Sequence, residues 1–240
     1  MKVIGSWKFI KKNIPMEQRY ELKNQLKIFF IDWINDNFNP DDHRKSDLVL
    51  VCGDGNTLPE DVAAFESFGI DHDVFCINRS MLYFQRPINH WAAIDAEESA
   101  WFSENLTEKV VPPGGRVLRH TIGVCPLGYD IFWKVDQDFE NDKQRHIWSG
   151  NSGYFGILAA LKMGYAKVVV AGMPLNTKSH WYEPDDIPGP NWVGQTYRTW
   201  MDFAAEHPDA HKVRSMSGYS KYIFGEVSKQ WLQNLNLTAA

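Results

Sequence analysis

Four short apolar runs punctuate the chain: LVLVCG (48–53), DVFCIN (73–78), HWAAID (90–95) and AKVVVAG (166–172). Each is too short for a packed helix and of the right length for a strand. The valine run has no polar alternation, so it reads as a strand covered on both faces. Helical patterns fill several of the intervals. Strands that alternate with helices in this way predict an α/β fold with a mostly parallel sheet and helices on both faces. In such sheets ligands bind beyond the carboxyl ends of the strands, where the strand order reverses. The residues just after each run are therefore the ones that bear on function.

The other segments fit around this frame. Residues 16–38 carry Leu22, Leu26, Phe29, Phe30 and Trp33 at helical spacing, which predicts an amphipathic helix. This gives an N-terminal helical extension over 1–46 and an α/β domain over 47–240. After the first run, GDGNTLPEDVAAFESFG predicts a turn and a helix, with Thr57 and Glu60 as a capping box and Gly69 as the stop. A helix is expected over 96–106. Within the irregular stretch 107–145, VPPGGRVLRHTIGV predicts a strand after a Pro-Gly turn, followed by a polar segment. The segment 152–163 is apolar on nearly every side, which predicts a buried helix. A long loop over 173–193, a helix over 193–207, a strand over 211–217 and a closing helix over 220–235 complete the pattern.

Composition narrows the class. Hydrophobic residues make up 44% of the 240, enough for a large core. The net charge of −5, with no basic run, disfavours nucleic acid as a partner. Three cysteines without a Cys-x-x-Cys pair, and an N-terminus lacking a continuous apolar stretch, point to a cytoplasmic protein with reduced thiols. No run is long enough to cross a membrane. A homo-oligomer is compatible with the sequence, which does not fix the oligomeric state.

At the first strand end, Gly53, Asp54, Gly55, Asn56 and Thr57 form a small-residue turn that opens a helix. Such a turn can offer free backbone N–H groups to a phosphate, or it can simply start the helix. It lacks the third glycine of a dinucleotide fingerprint and the Gly-Lys-Ser/Thr of a Walker loop. Asp54 would repel a bare phosphate unless a cation lay between them. At the second strand end, Asn78 reads as a base or ribose contact, or as a turn residue. At the third, Asp95 reads as a ribose or divalent-cation ligand, or as a helix cap. Ser149, Gly150, Asn151 and Ser152 form a second small-residue loop before the buried helix, with the same two readings. In the long loop, His180 is a candidate general base and Tyr182 a candidate donor to a leaving phosphate. His180 with Glu183 and Asp185 is an alternative metal set at no standard spacing.

The order of these motifs resembles a known superfamily over roughly 47–226. Its marks are a strand then Gly-x-Gly, a strand ending in Asn78, a strand ending in Asp95, Ser-Gly before an apolar helix, and GYAKVVVAG, while VRSMSGYSKYIFGE (213–226) resembles prophage-encoded members. They are similar to those of the Rossmann-like proteins that include bacterial sialyltransferases of the Campylobacter type. Archaeal-type 6-hydroxymethylpterin diphosphokinases and uncharacterised phage and prophage proteins belong to the same group. The sialyltransferase resemblance implies that Gly53, Gly55, Asn56, Asn78, Ser149 and Gly150 hold a CMP-sugar. It also implies a lid histidine as base and tyrosines behind the leaving phosphate, in the region of His180 and Tyr182. The diphosphokinase resemblance implies magnesium at Asp95, with Glu97 in place of the second Asp of that family's Asp-x-Asp. Asp54-Gly55-Asn56-Thr57 stands where the relatives carry a Gly-Pro-Ser turn.

The sequence thus leads to a nucleotide-binding transferase, glycosyltransferase-like, with a nucleotide or nucleotide-sugar as partner. The alternatives are a magnesium-dependent diphosphate transfer from ATP and a non-catalytic nucleotide-binding or interaction protein.

Overall fold

The computed structural model describes residues 31–33, 38–93, 117–122, 130–135, 152–184, 186–187, 189 and 193–234. They form an α/β, Rossmann-like fold around one eight-stranded sheet. The strands are β1 (Ile31–Trp33), β2 (Leu48–Cys52), β3 (Asp73–Ile77), β4 (His90–Ala92), β5 (Leu118–Ile122), β6 (Ile131–Val135), β7 (Lys167–Ala171) and β8 (Val213–Ser215). Their order is β1-β6-β5-β4-β3-β2-β7-β8. All pairings are parallel except β1 against β6. From β2 the chain builds outward through β3, β4, β5 and β6. It then returns through helix α2 (Ser152–Lys162) to place β7 on the other side of β2. The order therefore reverses between β2 and β7.

The two sheet faces divide the apolar residues as strand geometry requires. Val49, Val51, Phe75 and Ile77 pack on the face that carries α2 and helix α3 (Val193–Glu206). Leu48, Leu50, Cys52, Val74 and Cys76 pack on the face that carries helix α1 (Leu58–Glu66). The expectation of strands covered on both sides holds for β2, β3 and β7, each buried along its whole length. Every residue of α2 from Ser152 to Leu161 is buried, which explains its lack of a polar face. Gly156 lets this helix press against the sheet: a Cβ there would come within 2.4 Å of Ile77 Cδ1. Burial also accounts for Cys52 and Cys76, whose thiols are pushed above their ordinary range by desolvation and stay protonated. Cys125 lies outside the described residues.

Several local expectations are corrected. Ile31–Trp33, inside the segment 16–38 read as helix, is a strand, and it joins the sheet edge beside β6. So 1–46 is not a wholly helical extension; the other residues of 1–37 lie outside the described residues. Ile131–Val135, in the segment read as polar and irregular, is a parallel strand of the same sheet. Thr57 makes no capping bond to the backbone of α1, because its hydroxyl donates to Asp61 Oδ2 at 2.9 Å. The closing helix is split: α4 (Gly218–Phe224) and α5 (Lys229–Gln233) are separated by Gly225, whose φ of 86° no helix adopts. The helix expected over 96–106 lies outside the described residues. Among those that are described, no helix is long and apolar enough to cross a membrane.

A buried polar chain runs across the sheet from Trp133 in β6 to Asp73 at the start of β3. Trp133 Nε1 donates to His120 Nδ1 at 3.1 Å. His120 Nε2 lies 3.1 Å from His90 Nδ1, and His90 Nε2 lies 2.9 Å from the Tyr165 hydroxyl. Tyr165 in turn donates to Asp73 Oδ2 at 2.7 Å. An indole can only donate, so His120 Nδ1 accepts and a neutral His120 carries its proton on Nε2. That proton goes to His90 Nδ1, which leaves the His90 proton on Nε2, directed at Tyr165. The two ends of the chain thus fix both histidines as neutral Nε2–H tautomers. Both are fully buried, and desolvation agrees: it lowers the His90 pKa from 6.5 to about 3 and holds His120 well below its usual value.

Candidate functional site

Four backbone exits converge at the carboxyl edge of the sheet. They are the turn after β2 (53–57), Asn78 after β3, the segment after β7 (172–176) and the start of α2 at Ser152. With His180 and residues of α3 they enclose a cleft of about 240 Å³. The cleft lies where the strand order reverses, the position at which open α/β sheets bind ligands.

The β2 and β7 exits lock together through glycine. Gly53 N donates to Ala171 O at 2.9 Å and Gly55 N to Gly172 O at 2.7 Å. A Cβ on Gly55 would come within 2.7 Å of Gly172 O, and one on Gly53 within 2.5 Å of Met173 Cγ. These glycines are therefore required by the contact between two loops, independently of any ligand. Beneath them, the buried Asp61 Oδ2 accepts from Gly172 N at 2.9 Å, Thr57 Oγ1 at 2.9 Å and Ser217 Oγ at 2.7 Å. One carboxylate thus ties α1, the β7 exit and the turn before α4. Burial raises its pKa, and the three donors oppose that rise. Asp61→Ala should strand these donors and lower stability by about 3 kcal/mol. A urea midpoint within experimental error of the wild type would show that the three loops hold without it.

Asn78 and Leu175 are the only non-glycine residues with positive φ among the described residues, at 51° and 52°, and both line the cleft. Left-handed backbone costs energy outside glycine and collects at functional sites. At Asn78 the backbone carbonyl is taken by Trp91 Nε1 at 2.9 Å, which holds the turn in place.

The long loop is fixed to the β2 exit. His180 forms an antiparallel bridge with Gly55, and Trp181 N donates to Asp54 O at 3.1 Å. Glu183 Oε2 accepts from His180 N at 2.9 Å and lies 2.7 Å from His180 Nδ1. The His180 backbone N–H, the largest influence, keeps the Glu183 carboxyl below its usual range. Tyr182 stacks on the His180 ring, with centroids 5.4 Å apart and planes 2° from parallel. The Arg79 guanidinium lies 5.3 Å from the Tyr182 ring centre. Burial, and then the Asp54 carboxylate, push the Tyr182 phenol up to about 12, so it remains a donor. Asp54 Oδ2 itself accepts from Arg79 N at 3.3 Å.

Of the residues singled out from the sequence, Gly53, Asp54, Gly55, Asn78, Ser152 and His180 line this one cleft. Asn56 and Thr57 do not. Asn56 Oδ1 accepts from Asn176 Nδ2 at 3.1 Å, and Thr57 serves Asp61. Tyr182 is not on the cleft wall; it backs His180. Ser149, Gly150, Asn151 and Asp95 lie outside the described residues, as does Asp185 of the alternative metal set. Among the described residues no group of three or more His, Cys, Asp or Glu is placed to hold a metal ion. The sequence reading missed the β7 exit (172–175), Val193 and Trp200, all of which line the cleft. Gly-Met-Pro directly after a strand obeys the same strand-end rule and could have flagged the first of these. No local pattern marks Trp200, which arrives from a helix more than a hundred residues beyond β2. No family model, curated protein or solved structure matches the chain.

Proposed function

We propose that this chain is a nucleotide-binding transferase, of the type that moves a sugar from a nucleotide-sugar donor to an acceptor hydroxyl. The observation that carries the reading is the His180–Glu183 pair at the wall of a cleft that also holds both strained non-glycine residues. With its Nδ1–H donated to Glu183, His180 keeps a lone pair on Nε2. That is the arrangement of a general base oriented by a carboxylate.

In this mechanism Nε2 takes the proton of the acceptor hydroxyl as its oxygen bonds to the anomeric carbon. The bond from that carbon to the phosphate oxygen breaks, and its electron pair leaves with the nucleoside phosphate. Lys178, which lines the cleft, supplies a cation for the phosphate. Tyr182 holds the His180 ring in plane from behind. Asp54 and Asn78 offer an acceptor and an amide for sugar hydroxyls. Two backbone amides of the β2 exit, Gly53 N and Gly55 N, are taken by the β7 exit and are not free for a phosphate.

The first test is thermal melting with CMP, CDP, UDP, GDP, ATP and NAD, each with and without magnesium. A ligand at a hundred times its Kd should stabilise the fold by about 2.7 kcal/mol, which is a rise of several degrees. A rise with a pyrimidine nucleotide and no metal supports the proposal. A rise with ATP only when magnesium is present replaces it with diphosphate transfer, and no rise with any of them sinks it. His180→Ala should then lower turnover about 10²–10⁴-fold while keeping the nucleotide-induced rise. Tight binding without turnover in the wild type would instead identify a non-catalytic binding protein.

A further inference from the structure

One wall of the cleft differs from the rest. Ile77, Met173, Leu175 and Trp200 belong to the core cluster on the α2/α3 face, and Val193 packs against it. Trp200 is fully buried, yet its indole N–H has no hydrogen-bond partner among the described residues. Buried indole N–H groups ordinarily find an acceptor, and leaving one unpaired costs stability. Its ring is held against Phe224, with centroids 5.4 Å apart.

We infer that this wall is a base-recognition subsite, in which Trp200 Nε1 donates to an acceptor atom of a planar heteroaromatic ring lying on Ile77, Leu175 and Val193. The inference rests on the nucleotide-binding reading above and specifies which part of the ligand this wall takes. An apolar wall with a single donor suits a nucleobase, whose faces are apolar and whose edge carries carbonyl oxygens or ring nitrogens. The charged and amide groups, Asp54, Asn78, Lys178 and His180, are left for the sugar and phosphate. The bound base would also satisfy a donor that finds no partner among the described residues.

Trp200→Phe tests this by removing the N–H while keeping an aromatic ring. Calorimetric titration of wild type and variant would use CMP, UMP, AMP and GMP, with ribose 5-phosphate as the probe that lacks a base. Whichever nucleotide binds the wild type best should lose about tenfold in affinity, and ribose 5-phosphate should lose nothing. Equal losses for both probes, or no loss for the nucleotide, would overturn the subsite while leaving nucleotide binding intact. A wild type that binds no nucleotide would overturn both readings. Should the variant fold poorly, the Trp200 Nε1–H resonance of the wild type decides. A downfield move with the nucleotide and none with ribose 5-phosphate supports the subsite, and no move with the nucleotide refutes it.

Discussion

Acidification from pH 7 toward pH 4 should destabilise this protein steeply, along a slope set by His90 and His120. Both are neutral in the fold, held as Nε2–H tautomers between Trp133 and Tyr165. In the unfolded chain each takes up a proton below about pH 6.5. Their folded pKa values are depressed, to about 3 for His90. Over the interval between, the unfolded state binds more protons, so stability falls as pH falls. Each group contributes about 1.4 kcal/mol per pH unit, and the two together about 3. A domain with an ordinary stability of about 5–15 kcal/mol is then near its limit within a few pH units. Glu183, whose carboxyl sits low, works in the same direction at lower pH. Asp61, raised by burial, works in the opposite sense above the usual carboxylate pKa, and it softens the slope there without reversing it. Urea unfolding at half-unit steps from pH 7 to pH 4.5 measures the slope. A midpoint that stays level between pH 6.5 and pH 5 would mean that the two histidines are not held neutral.

Gly172→Val should leave no folded protein under conditions in which the wild type is stable. The residue has φ of 62°, a region that β-branched residues essentially do not enter. A Cβ there would lie 2.4 Å from Gly53 O and 2.8 Å from Leu58 Cβ. The first of these atoms is backbone, held in its place by the β2–β7 pairing, so it cannot yield cheaply. Left-handed strain of about 1–2 kcal/mol adds to an overpacking cost of about 1–3 kcal/mol. Losing the Gly172 N bond removes one of the three donors to the buried Asp61 carboxylate and raises the total to about 5 kcal/mol or more. Circular dichroism of the purified variant, or its absence from the soluble fraction, reads the outcome. A melting temperature within a few degrees of the wild type would show that the two exits can separate, and that the cleft floor is looser than described.

Both results depend on contacts that no local pattern discloses, and the site shows the same division. The alternation of buried runs and helices was legible because periodicity is a property of a dozen neighbouring residues. The all-apolar stretch after Ser152 could only be a buried helix, and the valines of 167–171 could only be an interior strand. The strand-end rule picked out Gly53, Asp54, Gly55 and Asn78, the small-residue loop before the buried helix gave Ser152, and the long loop gave His180; these six line one cleft. The rule failed where the tertiary partner decides. Ile31–Trp33 is a strand because β6 supplies its hydrogen bonds, although its sequence also suits a helix. Thr57 looks like a cap, yet an aspartate one turn on and a serine far along the chain claim its hydroxyl.

What the residue order determined by itself, then, was the fold class, the buried helix and the edge of the sheet that carries the cleft. All three follow from which side chains avoid water at fixed spacing. Tertiary structure alone decided why Gly53 and Gly55 are glycines, that His180 is bridged to Gly55, and that Trp200 reaches the cleft. Those are meetings between segments far apart in sequence, and only the strand order, with its reversal between β2 and β7, brings them within hydrogen-bonding distance.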